Sequence, residues 1–122
     1  MIAFAMLLAL SQAATQLSIQ PWTGSDFQTT TTTAAKYRLE VDGKPNATVR
    51  LRALDVAHGW LAAFCTPKFC SPQQLDVQLP HSGSAVVQFE LIRESLTAPK
   101  RSGAKIAVSN GAPISVPAAF RE

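Results

Sequence analysis

Apolar and polar residues alternate along most of this chain. In "KYRLEV", Tyr37, Leu39 and Val41 fall on one face, and Lys36, Arg38 and Glu40 on the other. "TVRLRA" sets Val49, Leu51 and Ala53 against Thr48, Arg50 and Arg52, and "QLDVQL" sets Leu75, Val77 and Leu79 against Asp76 and Gln78. "SAVVQFELI" places Ala85, Val87, Phe89 and Leu91 together, while Val86 and Ile92 leave its second face only half polar. A repeat of two is the signature of strands with one buried face. "QLSIQPW" reads as a first edge strand ended by Pro21, and "AKIAVS" and "PISVPA" as two short strands near the end. No stretch of helical length carries apolar residues at spacings of three and four.

The segments between these runs are rich in turn formers: "DGKPN", "PHSGS", "TAPKRSG" and "SNGAP". Asn110-Gly111 tolerates positive φ and signals a hairpin turn. About seven short strands at this spacing predict an antiparallel β-sandwich. If "KYRLEV" and "TVRLRA" form a hairpin across Gly43 to Ala47, Glu40 lies opposite Arg50 and Asp42 opposite Thr48. The threonine run Thr29 to Thr33 favours extended backbone and reads as the approach to "KYRLEV"; a flexible, O-glycosylated linker is the alternative.

The start of the chain has a different character. Met1 to Leu10 is an unbroken apolar run followed by small residues, too short for a permanent membrane span but suited to a secretory signal peptide. Ser11 and Ala13 fit the small positions before a cleavage point, so residues 1–13 are expected to leave. Residues 14–122 then form one domain, exported to the periplasm or the cell surface, with no transmembrane segment after cleavage. A positive residue usually precedes the apolar run of such a leader, and none does here. The formal charge of +3 is spread along the chain with no basic run or stripe, which argues against nucleic acid.

The order of strands, with "VDGKPNATVRLRA", Gly59-Trp60, a cysteine hairpin, "LDVQLPHSGSAVVQFELI" and "SGAKIAVSNG", resembles the immunoglobulin-like modules of bacterial extracellular proteins, of the NPCBM-associated and CARDB-like kind. The likeness runs from about Thr30 to Pro117 and rests on sandwich turns: a Gly-Trp corner, a turn at Pro80 to Ser84, and Gly103 opening a final hairpin. It implies an immunoglobulin-like sandwich with an adhesive, spacer or carbohydrate-associated role. Such modules usually sit inside much longer proteins, whereas this one is expected to follow its own leader.

Chemistry-bearing residues are few. The chain holds two cysteines, Cys65 and Cys70, in "FCTPKFC". An even cysteine count in a small exported domain predicts a disulfide, closing a short loop for about 2 kcal/mol in the chain-entropy model. A catalytic redox pair normally has two intervening residues at a helix N-terminus, and here four intervene between strand-like flanks. His58, Cys65, Cys70 and His81 would supply four donors to a tetrahedral zinc or copper(I) site, the reading of a periplasmic metal-handling protein. A blue-copper site would want an axial Met, but Met1 and Met6 fall in the leader; against the four-donor set, its second half lacks a recognisable spacing and both histidines sit beside turn residues. No Gly-x-Ser-x-Gly turn, paired carboxylates or glycine-rich phosphate loop is present, so neither an enzyme nor a cofactor is expected.

Among the aromatics, Trp60 and Phe64 are expected in the core. Trp22 could lie in or out, and Phe69 is expected to be exposed beside Lys68. The expectation is a non-catalytic interaction or structural module of the cell envelope. Its contact surface would be the cysteine tip, with Thr66, Lys68, Phe69 and Trp22, and its partner another envelope or extracellular protein. A glycan stacking on exposed rings is a third reading, and strand addition along an open edge a second docking mode.

Overall fold

A computed structural model describes residues 14–28 and 34–120. The proposed signal peptide and the threonine run lie outside the described residues. Nine strands follow one another: β1 (Gln16–Pro21), β2 (Ala34–Asp42), β3 (Thr48–Leu54), β4 (Trp60–Cys65), β5 (Cys70–Pro72), β6 (Gln74–Gln78), β7 (Ser84–Arg93), β8 (Arg101–Val108) and β9 (Ile114–Phe120). They form two antiparallel sheets, β1-β2-β7-β4-β5 and β6-β3-β8-β9. The described residues contain no helix. The chain is an all-β sandwich of two antiparallel sheets, as the alternation predicts. The two strands beyond the expected seven are the arms of the cysteine hairpin, β4 and β5.

The alternating residues meet between the sheets. Leu39 and Val41 of β2, Trp60, Ala62 and Phe64 of β4, and Val87, Phe89 and Leu91 of β7 face Val49 and Leu51 of β3, Leu75 and Val77 of β6, and Ile106 and Val108 of β8. Phe64 and Phe89 are cross-strand partners, and their rings pack at 5.1 Å between centroids. The Gly-Trp corner seals one end. Gly59 has φ +86°, and the Trp60 indole N–H donates to the Pro99 carbonyl at 2.7 Å.

One expectation is corrected. β2 and β3 do not form a hairpin. The Gly43 to Ala47 loop carries the chain from one sheet to the other, so β2 pairs with β1 and β7 while β3 pairs with β6 and β8. Glu40 therefore never meets Arg50. It accepts from Arg38 on its own strand, and Arg50 instead pairs with Asp76 across β3 and β6. Two strands with one apolar face each can share that face as neighbours or across the sandwich, and alternation alone does not choose. Gly103, expected to open the last hairpin, lies near the start of β8, the first strand of the β8–β9 hairpin, at a bulge between Ser102 and Ala104.

β1 is an edge of the larger sheet, and its approach also touches the other sheet. The Thr15 N–H donates to the Asn110 carbonyl at 2.8 Å, and Thr15 bridges Gly111 in parallel. Asn110 supplies the left-handed turn there, with φ +64°.

Candidate functional site

The two cysteines occupy directly opposed positions on β4 and β5, their Cα atoms 4.0 Å apart, and they are joined as a disulfide. The turn between them is fixed from within. The Thr66 N–H donates to the Phe69 carbonyl at 2.8 Å, and Thr66 Oγ1 accepts from the Lys68 and Phe69 amides at 3.2 and 3.3 Å. A threonine hydroxyl folded back on its own turn is a common way to satisfy such amides. Pro67, Lys68 and Phe69 project into solvent, and Phe69 is 52% exposed.

A second segment pins the same hairpin from outside. After β1 the chain runs from Trp22 to Gln28 across the outer face of the larger sheet, forming a strap. The Trp22 N–H donates to the Lys36 carbonyl at 3.1 Å. Asp26 takes the Lys36 ammonium and, at 2.9 Å, the Gln88 side-chain amide. The Phe27 N–H donates to Gln88 Oε1 at 3.0 Å, and Gln28 Nε2 donates to the carbonyls of Thr66 and Pro67 at 3.1 and 2.8 Å. Trp22 and Phe27 pack edge to face, 4.8 Å between centroids, and are half-buried. The hydrogen bonds from Lys36 and Gln88 favour the ionised Asp26 and hold its carboxyl below the ordinary 3.8.

Beneath the strap lie polar residues that an outer sheet face would normally give to water. Gln88 and Glu90 have no solvent exposure. Cys65 also has none, whereas Cys70 on the facing strand is exposed. Glu90 Oε2 lies 3.0 Å from Cys65 Sγ. The sulfurs and that carboxyl form the one group of three metal-type donors within 4.8 Å of each other among the described residues.

The residues singled out from sequence are thus placed as follows. Cys65 and Cys70 are joined; Thr66, Lys68 and Phe69 form the tip; Trp22 stands on the strap. Trp60 and Phe64 are in the core, as expected. His58 and His81 are exposed and belong to no cluster of donors. His58 precedes β4, whereas Cys65 ends it, so roughly 16 Å of extended chain lies between the strand's two ends. The four-donor set is not assembled, and both sulfurs are spent on each other.

Asp26, Gln28, Gln88 and Glu90 were missed. Their signal was present in "SAVVQFELI", where two polar residues share a face with Val86 and Ile92, and in the aromatics of "PWTGSDF", which need something to cover.

The opposite sheet offers a different surface. Arg50, Arg52, Ala107, Val108 and Ser109 line a shallow groove of about 280 Å³ on its outer side. Arg50 is engaged by Asp76 at 2.9 and 3.4 Å, an exposed pair worth little in water. No model of a known protein family matches the chain, and no curated protein sequence matches it. Among the described residues, no helix is long and apolar enough to cross a membrane.

Proposed function

We propose that this chain is an exported interaction module of the cell envelope, adhesive or accessory in role, that docks a protein partner through its stapled hairpin tip. The observation that carries this reading is Phe69, a large apolar side chain held in solvent at 52% exposure on a turn fixed by three independent devices. The disulfide, the Thr66 hydroxyl and the Gln28 amide each constrain it. Ordering a loop on binding costs about 0.5–1.5 kcal/mol per immobilised side chain, and a tip ordered beforehand avoids much of that. Lys68 beside Phe69 favours a partner with an apolar pocket and an acidic rim. The disulfide supports an oxidising compartment, in keeping with the leader-like N-terminus.

The test places a photo-crosslinking phenylalanine analogue at position 69 in producing cells. A discrete adduct at 69, lost when Lys68→Glu is added, is expected. The same analogue at Leu96, 90% exposed in another loop, is expected to give none. Equal labelling at both positions, or none at 69, would defeat the reading.

A further inference from the structure

We propose that the outer face of the smaller sheet binds a linear acidic glycan of the uronate type, with Arg50, Arg52 and Lys105 receiving its carboxylates. The cysteine hairpin belongs to the other sheet, so this inference stands apart from docking at the tip.

The first support is the distribution of charge. The strands of the larger sheet set Lys36, Arg38 and Arg93 against Glu40, Asp42 and Glu90. Those of the smaller sheet carry Arg50, Arg52, Arg101 and Lys105 against Asp76 alone. Cations that lie scattered along the chain are collected by the fold onto one sheet.

The second is register. β3 and β8 pair with Arg52 beside Ala107 and Leu54 beside Lys105. One rung earlier, the Ser109 N–H donates to the Arg50 carbonyl at 3.0 Å, and the Arg50 N–H donates to Ser109 Oγ at 2.9 Å. Three successive outward rungs therefore each hold one cation and one uncharged residue. Such rungs are about 7 Å apart, so the cations form a track of about 14 Å. Arg50, Arg52 and Lys105 are all exposed, while Leu51, Ile106 and Val108 point into the core.

The third is the supply of counter-charge. Asp76 shares Arg50, but among the described residues no carboxylate pairs with Arg52 or Lys105. Their neighbours on the outer strands are Gln74 of β6 and Ser115 of β9, both uncharged. Two cations of the track are thus open to an external anion.

The spacing selects the ligand. A polyphosphate has a charge on every phosphorus, denser than one cation per rung can match. A uronate chain has one carboxylate per sugar ring and an apolar C–H face between them. Ala107 and Leu54, the latter 37% exposed, stand among the cations and offer that face a surface. The planar guanidinium matches a carboxylate with two parallel hydrogen bonds. The shallow groove along Arg50, Arg52, Ala107 and Ser109 gives the first rings a bed.

The experiment titrates the full chain into a fluorescently labelled hexamer of galacturonic acid and follows polarisation. Binding is expected at low salt and weakens as salt rises. Arg52→Ala combined with Lys105→Ala is expected to weaken it about tenfold. Lys44→Ala combined with Lys100→Ala removes the same charge from exposed loop positions and is expected to change nothing. Asp76→Asn releases Arg50 to the ligand and is expected to tighten binding. A neutral glucose hexamer is expected not to compete, and a polyphosphate of equal charge to compete less well than unlabelled uronate. No binding of the uronate hexamer, equal losses in the two double variants, or stronger competition by polyphosphate would each overturn the proposal.

Discussion

Gly59 illustrates how much a single position can decide. Its φ of +86° belongs to the left-handed region that L side chains rarely adopt. A Cβ built there would stand 2.5 Å from the Cβ of Ala98, a buried residue. The Arg93 guanidinium donates to the Ala98 carbonyl, and Trp60 donates to Pro99, so the same corner is tied by hydrogen bonds on both sides. Gly59→Ala must distort the backbone or push the Ala98 loop outward. It is expected to destabilise the fold by about 1–3 kcal/mol, read as a lower denaturation midpoint by circular dichroism. By contrast, Arg50 and Asp76 hold each other in the open, where water and salt screen the pair. The short distance there says little about stability; the crowding at Gly59 says much.

At the scale of elements, the strap is the feature that holds the cysteine hairpin from outside. It carries the edge-to-face pair of Trp22 and Phe27 and a set of hydrogen bonds centred on Asp26 and Gln88. Its attachment therefore depends on pH. The lowered Asp26 pKa means that the folded protein favours the carboxylate more than the unfolded chain does. That contribution is fully present above the unfolded value near 3.8 and is lost as pH falls through the lower folded value. Acidification is expected to shift Trp22 emission before the sandwich unfolds, with Trp60→Phe used to silence the core tryptophan. Asp26→Asn is expected to abolish that early phase. An acid transition identical in the two proteins would show that the strap is held by other contacts. On β4, Ala63 and Cys65 are buried along with the inward-facing Ala62 and Phe64. A strand covered on both faces loses alternation, which is why "WLAAFC" shows no period of two.

For the whole molecule, stability rests on one core between two sheets, and the four edges are where association with other chains would begin. Phe89 lies at the centre of that core, against Phe64 and Tyr37, with no exposure. Phe89→Ala is expected to cost about 3–5 kcal/mol, lowering the denaturant midpoint with little change in slope. The edges carry their own protection: Pro21 ends β1, Pro72 ends β5, and Pro117 lies in β9 beside the bulge. A proline cannot donate to a further strand, so each shortens the run open to pairing.

The local pattern of side chains by itself determined the fold class, most strand positions, the residues of the core and the disulfide. These depend on period two, turn formers and cysteine count, all of which act over a few neighbouring residues. Tertiary structure alone decided which strands became neighbours. It separated β2 from β3, because an apolar face is satisfied equally beside or across from its partner. It also decided that Gln88, Glu90 and Cys65 would be buried on an outer face. Gln88 finds its partners there sixty-one and sixty-two positions earlier in the chain, in the Phe27 amide and the Asp26 carboxylate. Polarity marks a residue as needing a partner, and folding determines whether that partner is water, a strap or a sulfur atom.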